Sequence, residues 1–289
     1  MQAFDSLSRD IQQYIYDKGW PSLTNIQSAA IKQVANTDHN LILSAPTASG
    51  KTEAAFIPAL NSVEDWETGL KVLYVSPLKA LINDQFQRIS ELSEYLDIPI
   101  TRWHGEVSQT QKRKVVNQPK GILLITPESI EGMLVNRPGE AEHLFKGVEW
   151  IIIDELHSFL GTERGIHLQS LLQRISRFMQ APRFIAMSAT LNKKDFGYAK
   201  AFFGSPRHTD ILVDRDKNDL FITIDYTSGE AGPFVARESL EAIYRYSKTE
   251  TMLIFPNSRN RVEEITHKLD KMAKKENAPI RYFAHHSSV

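Results

Sequence analysis

The sequence predicts an α/β protein in which helices cover both faces of a mostly parallel β-sheet. Short, continuous apolar runs recur along the chain with helix-like stretches between them, as expected for buried parallel strands. One run leads through a loop of small residues into Gly50-Lys51-Thr52 and a helix. A second run ends in two adjacent carboxylates, Asp154 and Glu155. These observations together favour an α/β fold that binds phosphate groups.

The composition is that of a globular protein with no disulfides. The chain has 289 residues, which favours two domains, and a formal net charge of −1, so any surface that binds nucleic acid must be a local patch. It contains no cysteine, which excludes disulfides, cysteine zinc sites and thiol catalysis. No apolar run approaches the ~20 residues that cross a bilayer, and residues 1–5 do not resemble a secretory signal. We therefore expect a cytoplasmic protein without membrane contact.

In the first part of the chain, predicted strands alternate with predicted helices after two helices at the start. A helix is predicted over residues 6–18, ended by Gly19, and a second over 25–34 with Thr24 as its N-cap. Further elements alternate after these two helices. Strands are predicted at 41–44, 72–75, 98–103, 122–125, 148–153 and 184–187, and helices from 53, 77 and 127 and over 167–178.

The pattern changes near residue 207. Residues 210–220 are charged and broken, which predicts a connection between a first domain, 1–207, and an incomplete second domain, 208–289. In the second domain, strands are predicted at 221–224, 252–255 and 282–286. Helices are predicted near 238–246 and over 259–272.

The loop before the third helix has the features of a phosphate-binding loop. Backbone N–H groups of Thr47, Ala48, Ser49 and Gly50, with the positive end of the helix dipole, suit phosphate oxygens. Lys51 is placed to reach terminal phosphates, and Thr52 to offer its hydroxyl to Mg²⁺. Ala45 replaces the usual first glycine, which weakens the match as a bare pattern.

Two further groups extend this prediction. Asp154 and Glu155 follow a buried strand, at the end of a sheet where ligands bind, and buried carboxylates are unfavourable without a partner. We assign Asp154 to the Mg²⁺ ion through its water shell, and Glu155 to the attacking water. The Gln27 amide both donates and accepts, which suits an adenine edge, although a solvated helix residue is the simpler interpretation.

The ordered motifs resemble superfamily 2 helicases of the DExH kind, in particular the large helicase-related (Lhr) family. Gly50-Lys51-Thr52, Asp154-Glu155-Leu156-His157 and Ser188-Ala189-Thr190 carry the resemblance. The other matching stretches fall in the family's order. They are 23–27 (Q motif), 76–81 (motif Ia), 126–129 (motif Ib), 253–259 (motif IV), and the Lhr-like 103–106 and 161–165.

The resemblance implies two RecA-like domains, the second partial, and a role for each matching residue. Lys51, Thr52, Asp154 and Glu155 would hydrolyse ATP with Mg²⁺, and Gln27 would select adenine beside an aromatic ring, for which the candidates are Phe4, Tyr14 and Trp20. The remaining roles fall into two groups. The implied nucleic-acid contacts are Pro77, Lys79, Thr126, Pro127, Glu128, Asn257, Ser258 and Arg259, and the implied coupling residues are His157, Ser188 and Thr190.

The implied function is an ATP-dependent motor that moves on single-stranded DNA, 3′ to 5′. An RNA helicase is the nearest alternative, because contacts to the backbone do not distinguish DNA from RNA. A non-catalytic, nucleotide-dependent binding module or scaffold is a second alternative. Motifs V and VI of the family have no match up to Val289, so we expect the N-terminal part of a longer motor that is nearly inactive by itself.

Overall fold

The structure is a computed structural model that describes residues 2–214, 223–224, 226, 235–249 and 251–285. The chain divides into two compact units, Met1–Asn218 and Asp219–Val289. None of the helices in the described residues is sufficiently long and apolar to span a membrane.

The predicted parallel sheet is confirmed, and in the described residues of the first unit it has seven strands, six of which the sequence predicts. Their order across the sheet is β3-β4-β2-β5-β6-β1-β7, and every neighbouring pair is parallel. The strands are β1 Asn40–Ser44, β2 Gly69–Val75, β3 Ile100–Trp103, β4 Lys120–Ile125, β5 Trp150–Ile153, β6 Arg183–Ser188 and β7 Thr209–Val213.

Alternate residues of the central strands enter two different cores, which explains their continuous apolar character. Leu41 and Leu43 of β1 belong to one apolar cluster, whereas Ile42 belongs to the other. Tyr74 and Val75 of β2 divide in the same way. Since successive side chains of a strand point to opposite faces, both faces of the sheet are buried.

In the part of the chain that the structure describes, nine helices of the first unit cover or flank this sheet, and two belong to the second unit. Those of the first unit are α1 Arg9–Asp17, α2 Asn25–Asn36, α3 Lys51–Ser62, α4 Lys79–Tyr95, α5 Gln109–Asn117, α6 Pro127–Asn136, α7 Pro138–Phe145, α8 Glu163–Ser176 and α9 Phe196–Ala201; those of the second are α10 Arg237–Ser247 and α11 Arg259–Lys275.

The first unit extends further than the sequence predicts. The sequence predicts that residues 209–213 lie beyond the first domain, within the second domain and its connection, but they form β7 and pair with β1 in parallel. Ile211 and Leu212 pack against the two cores. The unit therefore ends at Asn218 rather than at 207. The one charged side chain of this segment, Asp210, lies on an edge strand, where one side of the backbone has no partner among the described strands of the sheet.

The described part of the second unit is small. Its two helices enclose a core of Leu240, Tyr244, Ile265, Leu269 and Ala273. The predicted helices are confirmed, but residues 252–255 and 282–285 have no strand structure, and Phe255 is 86% exposed. A strand needs a hydrogen-bonded neighbour, which the described residues of this unit do not supply. Of the strand predicted at 221–224, residues 221 and 222 lie outside the described residues, as does residue 286, and residues 223 and 224 have no strand structure.

Candidate active site and nucleic-acid interface

The predicted site residues of the first unit gather along one edge of the sheet, because parallel strands end on the same side. The phosphate loop follows β1, Ser188 ends β6, and Asp154 follows β5. The stretches that begin with Ser76 and Thr126 follow β2 and β4. The strand order places the phosphate loop toward one end of this edge and the predicted strand contacts toward the other, with β5 and β6 between them.

The phosphate loop is held in place by its neighbours. The Ala45 N–H donates to the carbonyl of Ser188 at 3.2 Å. The Lys51 ammonium donates to the carbonyls of Ala45 and Pro46 at 2.7 and 2.6 Å. Burial lowers the pKa of Lys51, and the carboxylates of Glu155 and Asp154 act in the opposite direction. The predicted lysine and the predicted acidic pair are thus near one another.

Gln27 is buried rather than solvated, which rules out the simpler interpretation of this residue. Its amide oxygen accepts from the Thr24 N–H at 2.9 Å, and its amide nitrogen donates to the Gly50 carbonyl at 3.4 Å. Gly50 has a φ of +82°, and a Cβ there would lie 2.5 Å from the Gln27 nitrogen. Only glycine combines this conformation with this contact, so α2 and the loop fit together at this point.

The predicted adenine-stacking residues differ in exposure. Tyr14 is buried and packs edge-on against Trp20 and Tyr95, with ring centroids 6.2 and 5.3 Å apart. Its ring is thus part of the core, which argues against Tyr14 as the stacking residue. Phe4 and Trp20 line a shared pocket beside Leu23 and remain candidates.

Asp154 is a buried carboxylate held by two donors. The Tyr74 hydroxyl donates to one oxygen, and the Glu155 N–H donates to the other at 2.9 Å. Burial raises the pKa of Asp154 above its ordinary value, although the hydrogen bond from Tyr74 opposes this change. A desolvated carboxylate with a fixed orientation is suited to a cation or its water shell.

Glu155, His157 and Ser188 meet between β5 and β6. Glu155 has a φ of +48°, an unusual conformation for a residue with a side chain. Its Oε2 is buried without a hydrogen bond and lies 3.3 Å from Nδ1 of His157. The same Nδ1 lies 3.3 Å from the Ser188 hydroxyl, which donates to the Thr190 carbonyl at 2.8 Å. Of the predicted coupling residues, His157 therefore contacts the Glu155 carboxylate directly, and Ser188 and Thr190 are linked to it through His157.

We predict that Asp154→Asn stabilises the fold while it removes the charge. Because its pKa is raised in the folded state, the Asp154 carboxyl group keeps its proton more tightly there than in the unfolded chain. Its ionisation therefore lowers the free energy of unfolding as the pH rises from the ordinary pKa of 3.8 through the raised pKa of the folded state. Asparagine can still accept from Tyr74. At neutral pH the melting temperature should rise, by about 2–4 °C for each kcal/mol gained.

The control for this variant is Asp84→Asn, at an exposed position on α4. Thermal unfolding of both variants between pH 4 and 8 measures the effect. A lower melting temperature for Asp154→Asn at neutral pH would contradict the role given to burial.

The stretches after β2 and β4 are linked by a residue that individual sequence positions did not identify. Arg164 of α8 donates to the Pro77 carbonyl at 2.5 Å and to the Glu128 carboxylate at 2.6 Å. The turn before α8 packs closely against Gly165 in the first turn of this helix, where a Cβ would lie 1.8 Å from the Phe159 carbonyl oxygen. This position therefore requires glycine. The Lhr-like stretch 161–165 was the sequence signal for this contact, but its partners depend on the fold.

The other predicted strand contacts of the first unit are open to solvent or sit at a helix start. Lys79 begins α4, and its half-exposed ammonium pairs with Glu106 at 3.0 Å. Thr126 caps α6 by accepting from the Ser129 N–H at 3.3 Å, and Pro127 is the first residue of that helix. Helix starts present N–H groups and a positive dipole to anions such as phosphate.

The three predicted contacts of the second unit lie around the start of α11. Ser258 is its N-cap and accepts from the Arg261 N–H at 3.3 Å. Asn257 and Arg259 are exposed. This is again a helix start with polar side chains.

Comparison with known proteins gives one family. The sequence pattern of DEAD/DEAH box helicases matches residues 24–196, more than half of the chain. ATP-dependent helicase Lhr-Core protein 2 of Thermococcus barophilus is 30% identical over an alignment that covers 100% of this chain and 36% of that protein. The chain spans about a third of the length of the curated Lhr-Core relatives it matches.

Two solved structures share the fold. Mycobacterium smegmatis helicase Lhr, bound to ssDNA and AMP-PNP, has a TM-score of 0.83 at 24% identity, over 100% of this chain and 39% of that one. DEAD-box helicase Mss116, bound to ssRNA and UDP-BeF, has a TM-score of 0.63 at 20% identity, over 72% of this chain and 43% of that one. The predicted RecA-like fold is confirmed.

Proposed function

Because this chain belongs to the DEAD/DEAH box helicase family, we propose that it forms part of an ATP-driven motor that moves on single-stranded DNA in the 3′ to 5′ direction. The observation that carries the proposal is the arrangement of side chains along one edge of the sheet. The phosphate loop follows β1, the predicted strand contacts follow β2 and β4, and the acidic pair and Ser188 lie between them on β5 and β6. The proposed coupling residues would thus lie between the two functional regions, which supports the proposal.

ATP binds, in this proposal, at the β1 end of the edge. Terminal phosphate oxygens replace the carbonyls of Ala45 and Pro46 as partners of the Lys51 ammonium. The loop N–H groups from Thr47 to Gly50 face the phosphates. Gln27 is buried and already hydrogen-bonded to Gly50 of the loop, so in this proposal the residue that recognises the purine edge is attached to the phosphate loop.

The residues present fit a magnesium ion. Mg²⁺ prefers oxygen ligands, and the Thr52 hydroxyl and the Asp154 carboxylate provide them; the former bonds to the Gln85 side chain at 3.2 Å. The fit rests on Asp154, whose buried charge has only two hydrogen-bond donors around it. When bound, the ion supplies charge neutralisation on the phosphates. Glu155 orients the attacking water and accepts its proton.

A nucleic-acid strand passes, in this proposal, over the β2 and β4 end of the edge. Lys79 and the start of α6 at Thr126 and Pro127 contact phosphates, which positions a strand without reading its bases. Glu128 remains a predicted strand contact. Its carboxylate also holds Arg164, which binds the carbonyl of Pro77, so in this proposal Glu128 positions the two loops as well. Asn257, Ser258 and Arg259 supply contacts from the second unit.

Coupling passes through the two middle strands. His157 contacts both Glu155 and Ser188, and the Ser188 carbonyl holds Ala45 at the start of the phosphate loop. A change in the position of the loop on hydrolysis therefore moves a hydrogen-bonded chain of residues that includes Thr190. We also propose a cytoplasmic location, where such a motor meets its nucleic acid.

DNA is favoured over RNA by similarity alone. The M. smegmatis helicase, which resembles the chain over its full length, is bound to ssDNA, whereas Mss116, with a lower TM-score, is bound to ssRNA. The test is the ATPase rate of the full-length protein with matched single-stranded DNA and RNA. We predict stronger stimulation by DNA, and unwinding of duplexes with a 3′ overhang but not of those with a 5′ overhang. Stronger stimulation by RNA, or unwinding only from a 5′ overhang, would contradict the proposal.

The 289 residues alone are expected to hydrolyse ATP poorly. The sequence contains no match to motif VI, whose arginines complete such sites, and an arginine of this kind can be worth about 10³–10⁵ in rate. A strand-stimulated rate near that of the full-length protein would contradict this expectation.

A further inference from the structure

A cluster of two histidines and one aspartate lies at the amino ends of β1 and β7, away from the active site at the carboxyl ends. His39 directly precedes β1, and His208 directly precedes β7. The strands pair in parallel with Asn40 beside Thr209, so the register places the two histidines next to one another. Asp210 is two residues beyond His208, and alternate residues of a strand share a face. The backbone therefore brings three potential metal ligands together.

The side chains converge as metal ligands do. His39 Nδ1 lies 2.6 Å from one Asp210 oxygen, and His208 Nε2 lies 3.2 Å from the other. The three ligand atoms all lie within 4.8 Å of one another. Ligands at about 2.0–2.1 Å from a tetrahedral ion are separated by about 3.3 Å, so a small opening of the cluster would admit one.

Neighbouring groups hold two of the three ligands. Gln33 of α2 donates at 2.6 Å to Oδ2 of Asp210, the same oxygen that contacts His39. The backbone of His39 is fixed as well, since Arg183 donates to its carbonyl at 3.1 Å. The side chains of His39 and Asp210 are 32% and 26% exposed, whereas His208 is 59% exposed. At metal sites, hydrogen bonds from neighbouring groups of this kind fix the orientation of the side chains that bind the ion.

We propose that His39, His208 and Asp210 bind one zinc ion, with water in the fourth position. Two imidazoles and a carboxylate suit zinc better than magnesium or calcium, which prefer all-oxygen sites. The exposed side of His208 leaves room for the water. The ion would fix β7, the edge strand that ends the sheet, to the start of β1. Its role is to hold the last strand before the chain continues into the second unit.

The experiment uses the 289-residue chain, freed of metal by chelator and dialysis, and ZnCl₂ as the probe. Competition with a chromogenic chelator gives the stoichiometry and Kd, and Co²⁺ absorption in the visible range reports tetrahedral geometry. We expect one tightly bound zinc ion and a higher melting temperature with zinc. His208→Ala should weaken binding at least tenfold and abolish the thermal shift. Gln33→Ala should weaken binding about 10–100-fold.

Two controls separate this site from other histidines. His143→Ala changes an exposed histidine of α7 and should leave zinc affinity unchanged. A variant with both His285 and His286 changed to alanine tests whether these two adjacent histidines bind the zinc instead. Failure of the unmodified chain to bind zinc stoichiometrically would overturn the proposal. It would also be overturned by equal affinity in His208→Ala and His143→Ala, or by loss of zinc in the double variant.

Discussion

Replacement of Lys51 by alanine is expected to abolish ATP hydrolysis by the full-length protein while the first unit stays folded. The ammonium is the cation of the phosphate loop, and its removal deletes charge stabilisation where the transferred phosphoryl group would lie. Losing one such donor costs about 10²–10³ in rate, and nucleotide affinity should fall as well. The fold should persist because the side chain bonds only to carbonyls of its own loop.

The measurement is steady-state ATPase activity with and without single-stranded DNA, together with circular dichroism. Lys146→Ala, at an exposed position after α7, is the matched control and should retain full activity. Hydrolysis retained in Lys51→Ala would remove the phosphate loop from its assigned role and would favour the alternative of a non-catalytic binding module.

Glu155→Gln is expected to stop turnover but to preserve ATP binding. Glutamine has nearly the same shape, so it can keep the positive φ and the position beside His157. It lacks the carboxylate charge that polarises the attacking water, and a positioned base contributes about 10²–10⁴ in rate. Because Lys51 and the loop are unchanged, the variant should hold ATP and remain on the nucleic-acid strand.

The two variants therefore differ in a measurable way. Equilibrium binding of ATP and of single-stranded DNA with ATP should be close to normal in Glu155→Gln and weakened in Lys51→Ala. Glu142→Gln, an exposed change on α7, controls for the loss of a negative charge. Turnover near normal in Glu155→Gln would show that another group orients and deprotonates the attacking water.

The positions of the proposed site residues could be predicted because they depend on local context. A buried strand, a loop of small residues and a helix start are all within a few residues of Lys51, and Asp154 directly follows its strand. Since all these strands run in parallel, their carboxyl ends must lie on one edge. That geometry alone brought the phosphate loop and the acidic pair to the same side.

The features that could not be predicted depend on partners that are distant in the sequence. β7 is a short run that leads directly into charged residues, so its sequence suggests a connection, and its pairing with β1 makes it a strand. The partners of Arg164 come from two separate loops. The cluster of His39, His208 and Asp210 depends on strand register, which is set by the whole sheet and is not encoded in either segment alone.

On the proposed role of Gln27 in selecting adenine, its contact with Gly50 limits how base preference could change. The Gln27 amide oxygen satisfies the N–H of Thr24 at the start of α2, and its nitrogen bonds to the loop carbonyl of Gly50. A substitution at position 27 would leave the N–H of Thr24 without this acceptor and remove the contact with the loop, whatever it did to base recognition. In this proposal, a change toward guanine would therefore require several substitutions together, because a single substitution would also disturb the start of α2 and the loop.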